Sequence, residues 1–364
     1  MKYLTLLILI IIVSCGAAGR LEKTADNWGS LEAELDALFN KNINSGEPGL
    51  AFLVAYENER IYSKGFGLRN IESKEIITDS TNFELASVSK QFSALCILAL
   101  ADQNKLQLND TASRYLGSDV FRSVLIRELI THTSGLDDAE AYFYKHWDST
   151  KIASNADVLN WYIEKNKTIK GSDKEFKYNN GAYELLPILV EKLSGQPFPE
   201  FIKESIFDKA GMQNSIAFNL NNPVKIAQRA NCYHQNLFGK WEMTDGDPLT
   251  GIVGAGGIYT SLNDYFNYLT ALRNKTILSG DSHDLIFSPA VSGTSDGETF
   301  HYGMGWFVTD SFAQHTGGWA GVNTFSRIYL NKPLSVVLFA NRDDIHKKEI
   351  FQKAIEIVKK HIPD

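Results

Sequence analysis

Cysteine is scarce in this chain: three residues in 364, at positions 15, 96 and 232. No Cys or His cluster has the spacing of a zinc site, so no metal centre is expected; His346 with Glu349 comes nearest, lacks a second His, and reads as the start of a C-terminal helix. A surplus of basic residues is missing too. The formal net charge is -7, which offers no broad phosphate-neutralising surface and argues against nucleic-acid binding. No apolar run is long enough for a confident membrane span, since the one at the N-terminus covers only Leu4 to Val13. Internal repeats and low-complexity linkers are absent as well, and so is a nucleophile elbow: the one G-x-S-x-G, Gly293–Gly297, leads toward a strand pattern and not into a helix, which removes the usual context for a Ser-His-Asp triad built on His132 with Asp137 or Asp138.

What is present describes a folded protein. Hydrophobic residues make up 44% and charged residues 22%, and the length suffices for one large domain or two. Lys2, the run Leu4–Val13 and the stretch Val13-Ser14-Cys15-Gly16 read as an export signal over residues 1–20. A Cys directly after a small residue at the end of such a run resembles a bacterial lipobox, which makes Cys15 the expected lipidation site; the alternative is ordinary cleavage within Gly16–Gly19. Either way the protein is expected outside the cytoplasm, in the periplasm or cell envelope, touching the membrane only through a lipid anchor. Cys96 lies in an apolar segment and reads as core; pairing with Cys232 is left open.

Leu31, Leu35, Leu38, Phe39 and Ile43 recur at helical spacing after Ser30, an expected N-cap. Strand patterns follow at Leu50–Tyr56 and Arg60–Phe66, then an all-round apolar helix from Val88 to about Ala101. Helices are expected at Ala156–Glu164, Ala182–Leu193 and Glu200–Lys209. Strands return at Tyr302–Val308, Asn323–Leu330 and Ser335–Ala340, the last two joined by the turn Asn331-Lys332-Pro333, and Ile350, Phe351, Ala354, Ile355 and Val358 mark a final amphipathic helix. Strands at both ends with helices between predict an α+β fold, an α/β sandwich. Its antiparallel sheet is built from N- and C-terminal segments and flanked by helices, within a domain spanning 25–364 that carries a mainly helical subdomain over about 110–236.

Ser87-Val88-Ser89-Lys90 is the one S-x-x-K in the chain. It opens the apolar helix, so Lys90 comes one turn after Ser87 on the same face, within reach of its hydroxyl. Two Y-x-N triplets lie between it and His315-Thr316-Gly317-Gly318, namely Tyr178-Asn179-Asn180 and Tyr265-Phe266-Asn267. Tyr265 shares an apolar helix face with Leu262, Phe266 and Leu269 and reads as core, whereas Tyr178 precedes the turn signal Asn180-Gly181 and can project into a cleft.

Taken in order, Glu84–Gln91, Tyr178–Asn180 and His315–Gly318 resemble the three motifs of the penicillin-recognising serine hydrolases, which include class C β-lactamases, D-alanyl-D-alanine carboxypeptidases, D-aminopeptidases and related esterases. Leu129–Leu136 and Gly254–Ser261 are similar to architectural segments of that family. The resemblance implies a β-lactamase/transpeptidase-like fold and acyl transfer without a cofactor, through an ester on Ser87 with Lys90 and Tyr178 moving the proton. It implies that Asn180, His315, Thr316, Gly317 and Gly318 bind substrate, with the N–H groups of Ser87 and Gly318 as oxyanion hole, and Trp319 is a candidate pocket wall. The substrate is a small molecule or peptide: a small ester, a D-amino-acid peptide or a β-lactam. His315 stands where β-lactamases of this type have Lys, which disfavours a substrate held by its carboxylate. The alternatives are a penicillin-binding sensor with little turnover and, for Tyr142–Trp147, an aromatic rim in place of packing within the helical region.

Overall fold

The structure is a computed structural model, and it describes residues 14–165, 175–295, 298–345 and 349–362. The apolar run Leu4–Val13 and His346 lie outside the described residues. Among those residues no helix is long and apolar enough to cross a membrane, and no group of His, Cys, Asp and Glu is placed to hold a metal ion.

Helix α1 (Ser14–Asn42) leads into the hairpin β1 (Leu50–Tyr56) and β2 (Glu59–Phe66), then β3 (Leu68–Asn70), β4 (Glu75–Ile76) and β5 (Phe83–Glu84). Helix α2 (Lys90–Asp102) follows a 3-10 turn over Ala86–Ser89. Helices dominate the next stretch: α3 (Ser113–Leu116), α4 (Ile126–Ile130), α5 (Ala139–His146), α6 (Asn155–Lys165), α7 (Asn180–Glu184), α8 (Leu186–Ser194), α9 (Phe198–Ile202) and α10 (Asp208–Ala210). The short strands β6 (Ile216–Ala217), β7 (Tyr233–Gln235), β8 (Trp241–Met243) and β9 (Ile258–Thr260) precede α11 (Leu262–Arg273) and α12 (Gly280–Leu285). The chain closes with β10 (Val291–Ser295), β11 (Glu298–Tyr302), β12 (Phe307–Val308), β13 (Phe312–Trp319), β14 (Val322–Tyr329), β15 (Leu334–Ala340) and α13 (Ile350–His361).

The central sheet runs β10-β11-β12-β13-β14-β15-β1-β2, every neighbouring pair antiparallel. Both chain ends therefore build it: β1 pairs β15 with Leu50 opposite Ala340. Alternation along these strands assigns the two faces. Leu50, Phe52, Val54, Val336 and Leu338 point to one side, where they bury Leu31, Leu35 and Phe39 of α1 and Phe351, Ile355 and Val358 of α13. Ala51, Leu53, Val337 and Phe339 point to the other, onto α2 and α11. Every residue of α2 from Lys90 to Leu100 is buried, and Phe92 packs against Phe207, Tyr265 and Tyr268.

Several boundaries differ from the sequence expectation. Ser30 is not an N-cap, because α1 passes through it; the segment before it holds no proline and includes Ala17, Ala18, Leu21, Glu22, Lys23 and Ala25, all good helix formers. Ala182–Leu193 is two helices, not one, broken at Leu185 just before Pro187, and Glu200–Lys209 continues α9 through a π-turn over Lys203–Phe207. Tyr302–Val308 is interrupted: Gly303 N donates to Trp306 O at 2.8 Å and Gly305 has φ +81°, which makes a tight turn between β11 and β12. Cys96 and Cys232 are both free and buried, in separate apolar clusters.

Candidate active site

The turn that carries Ser87 is held from three directions. Leu85 N donates to Ile258 O at 2.9 Å, and Thr324 Oγ1 of β14 donates to Leu85 O at 2.6 Å. The buried Glu84 carboxylate accepts from Ala86 N at 2.9 Å and from Gly257 N at 3.0 Å. Burial pushes this carboxyl up to about 7 against the pull of those two donors. Ala86 has φ +46°, a left-handed conformation that costs a non-glycine residue energy and is held here by the surrounding bonds. The result is a half-buried Ser87 one turn before Lys90.

Lys90 is fully buried, and its Nζ donates to Ser87 Oγ at 3.0 Å and to Ala255 O at 3.1 Å. The same nitrogen lies 4.9 Å from the ring centre of Tyr178 and 5.6 Å from that of Tyr183. Ala255 belongs to the segment Gly254–Ser261, which wraps the start of α2: Ser93 Oγ donates to Gly254 O and Ile258 N donates to Ser89 Oγ.

Two helix N-termini bring in the second motif. Asn179 caps α7 by accepting from Ala182 N at 2.8 Å, while Asp138 caps α5 and also accepts from Gly181 N at 3.0 Å. Asn180 then sits beside Glu140 of α5, donating Nδ2 to Glu140 Oε1 at 2.6 Å, with its own Oδ1 buried and without a partner among the described residues.

The third motif lies on β13. Strand β12 pairs only as far as Gln314, so from His315 onward that edge of β13 is open. His315 and Gly317 alternate inward while Thr316 and Gly318 are exposed. A side chain at Gly317 would run into Thr324 Oγ1 and Leu85 O, whereas nothing lies within 4 Å of a Cβ built at Gly318.

His315 faces the interior, in a chain of hydrogen bonds whose partners fix each tautomer. Asn179 N donates to His132 Nδ1 at 3.0 Å, so His132 Nε2 carries the proton and donates to Tyr302 Oη at 3.2 Å. Tyr302 in turn donates to His315 Nε2 at 3.1 Å, and His315 Nδ1 donates to Thr316 O at 2.7 Å. Burial, then the nearby Lys90, lower the His315 pKa to about 3, and burial first holds that of His132 well below the ordinary range. Both rings are neutral. This polar chain ties the loop before α7 to β13.

Ser87, Asn180, Gly318 and Trp319 line one cavity of about 70 Å³, together with Glu84, Glu140, Glu184, Arg229 and Asp245. Tyr178 and Thr316 line a wider groove of about 600 Å³ with Phe176, Phe300, Phe307 and Phe312. Lys90 lies between Ser87 and Tyr178; His315 and Gly317 point away from both cavities. Tyr265 is core, its hydroxyl donating to Gln91 Oε1 at 2.8 Å. Of Tyr142–Trp147, Phe143 is buried in the core with Trp147 against it, and none of the six lines either cavity. Cys15 lies at the start of α1.

The sequence reading left out Glu84, Glu140, Glu184 and Tyr302 from the site. Glu184 carried a usable signal, four residues after Asn180 and so on the same helix face. Glu140 follows the capping Asp138, a hint of its place in a first turn, but nothing local says which helix that turn meets.

Residues 30–355 match the family described as Beta-lactamase. Penicillin-binding protein 4* of Bacillus subtilis (strain 168) is 31% identical over 322 residues, which cover 84% of this chain and 70% of that protein. Among solved structures, a penicillin binding protein from Bacillus halodurans superposes with a TM-score of 0.76 at 24% identity, covering 90% of this chain and 98% of the other. The D-amino acid amidase from Ochrobactrum anthropi SV3 gives 0.76 at 20% identity, covering 92% of this chain and 99% of the other. A match this long, carrying the three motifs in their expected order, makes this chain a member of the Beta-lactamase family of penicillin-recognising serine hydrolases.

Proposed function

We propose that this protein is an active serine hydrolase that cleaves an ester or amide through an acyl-enzyme on Ser87. The observation that carries this reading is Lys90 Nζ, fully buried and 3.0 Å from the Oγ of Ser87, which itself lines the cavity. Ser87 Oγ attacks the substrate carbonyl carbon and its proton passes toward Lys90, with the Tyr178 ring directly alongside. The negative oxygen is held by the N–H groups of Ser87 and Gly318, two fixed donors each worth on the order of 3 kcal/mol in such sites. The bond to the leaving group breaks as that group takes the proton back. Water then attacks the ester carbonyl, releasing the acid and restoring the Ser87 hydroxyl.

A neutral His315 turned away from the cavity supplies no cation for a substrate carboxylate. That supports a small ester or an amino-acid amide over a β-lactam, and one structural relative is a D-amino acid amidase in complex with L-phenylalanine amide. Intact-mass analysis after treatment with a fluorophosphonate tests the nucleophile: one adduct is expected on the wild type and none on Ser87→Ala. Equal labelling of both would overturn the assignment. A penicillin adduct that persists for hours with no ester or amide turnover would favour the sensor reading instead.

Envelope location through a lipid on Cys15 belongs to the same reading, supported by the apolar run that ends at this residue. Expression in bacteria with a labelled fatty acid should mark the wild type and leave Cys15→Ala unlabelled; label on both would exclude this site.

A further inference from the structure

Ser87 and Lys90 must keep a fixed separation for a proton to pass between them, yet each is directed by a different part of the chain. Ser87 follows Ala86, left-handed at φ +46°, in the turn before α2. Lys90 Nζ is directed by Ala255 O, in the segment that returns to β9. One side chain joins the two. Glu84 Oε2 accepts from Ala86 N at 2.9 Å, one residue before the nucleophile. Its Oε1 accepts from Gly257 N at 3.0 Å, two residues after the carbonyl that holds Lys90. Glu84 is only 8% exposed, in the wall of the Ser87 cavity, so water does not readily replace either bond.

An ionised carboxylate suits this double grip, because both of its oxygens accept. Once protonated, one oxygen carries a hydrogen and becomes the poorer acceptor, and one of the two buried N–H groups is weakly held. The left-handed region is unfavourable for an alanine, so Ala86 keeps it only while the bonds around it hold. Burial raises the Glu84 pKa to about 7 against the two N–H donors. Among the charged groups packed around it, Arg229 draws it down and Glu140 pushes it up, and Asp245 offsets the Arg229 charge through their ion pair. Cys232 and Tyr259 also face it; burial raises both, and they stay uncharged near neutral pH.

We infer that Glu84 is a positioning residue for Ser87: by gripping Ala86 N and Gly257 N together, its carboxylate fixes the nucleophile's turn against the segment that directs Lys90, and Ser87 reacts fastest while that grip is whole. Both oxygens are taken by backbone N–H groups, so Glu84 acts through the turn and not on the substrate. This inference rests on the acyl-enzyme reading above and adds the residue that holds its nucleophile in place.

The rate constant of fluorophosphonate labelling, followed from pH 5.5 to 8.5, tests it. The carboxamide of Glu84→Gln offers one acceptor oxygen and turns an N–H₂ toward the other donor at every pH. Wild type should label at least tenfold faster than this variant at pH 8.5 and within about threefold of it at pH 5.5, the ratio changing near pH 7. A role in the fold alone predicts otherwise, because in stability the variant gains on the wild type as the pH rises. Ala86→Gly is a second test that leaves the carboxyl in place, since glycine adopts the left-handed turn without strain. Between pH 8.5 and 5.5 its labelling rate should fall at least threefold less than that of the wild type, and this comparison decides alone if Glu84→Gln does not fold. A wild-type to Glu84→Gln ratio that is constant with pH, or an Ala86→Gly rate that falls as steeply as the wild type's, would overturn the positioning role and leave the hydrolase reading standing. Absence of labelling on the wild type at every pH would overturn the hydrolase reading, and the positioning role with it.

Discussion

At the scale of single residues, the two glycines of the third motif do different work. Gly317 lets β13 lie against the turn of Ser87: a methyl group there meets Thr324 Oγ1, Leu85 O and, at 3.1 Å, Ala86 Cβ. Thr324 and Leu85 are the atoms that pin the turn, joined by the 2.6 Å bond from Thr324 Oγ1 to Leu85 O. Gly317→Ala therefore has to push β13 and the nucleophile apart, at an overpacking cost of about 1–3 kcal/mol. Gly318 meets no such wall. Gly317→Ala should lower the melting temperature by several degrees and slow fluorophosphonate acylation at least tenfold, while Gly318→Ala should leave the melting temperature within about 1 °C. Equal melting temperatures for the two variants would show that the strand relaxes freely and that the close approach is unimportant.

At the scale of elements, legibility in the sequence follows how local each cause is. The strands β1, β14 and β15 and the helices α2 and α13 were readable to within about two residues, because each buries a face whose period is set by its own geometry. The start of α1 was misplaced because Ser30 is a good cap in isolation, and nothing in the next few residues reveals that the helix is already running. The break between β11 and β12 depends on Gly305 fitting against Lys90 and Gln91, a contact between segments more than 200 residues apart that no local pattern records. The site divides along the same line. Ser87 and Lys90 are one turn apart, so spacing alone brings them together. Tyr178 and Asn180 were placed by their order along the chain and their similarity to a known motif. His315 was recognised as part of a motif, but its inward direction was not, because that depends on which face of β13 covers α2. The partnership of Glu140 with Glu184 was invisible, since it exists only where the N-termini of α5 and α7 meet.

For the whole molecule, the buried ionisable groups set opposing dependences of stability on pH. His315 has its pKa lowered from 6.5 to about 3, so the unfolded chain binds the extra proton first. Its contribution is fully present above pH 6.5 and is lost as the pH falls toward 3, with a slope of about 1.4 kcal/mol per unit. His132, lowered in the same direction, adds to that loss. Glu84 works the other way: with its pKa raised from 4.5 to about 7, the folded state holds the extra proton. Its contribution is full below pH 4.5 and is lost as the pH rises to about 7, and the raised Glu140 and Glu184 act in that sense too. Between pH 5 and 6.5 His315 and Glu84 pull in opposite directions, which flattens the wild-type curve. Single substitutions should unbalance it. Denaturant unfolding at pH 5 and pH 7 should show Glu84→Gln gaining on the wild type by about 2 kcal/mol as the pH rises, because only the wild type loses the Glu84 proton. His315→Asn should gain by a comparable amount as the pH falls, because only the wild type then carries an imidazole that resists its proton in the folded state. Each variant shifts the absolute stability for packing reasons as well, so the readout is the change in the difference between the two pH values. Curves that stay parallel to the wild type across this range would mean that these groups titrate alike in the folded and unfolded chain, and that their surroundings are open to water.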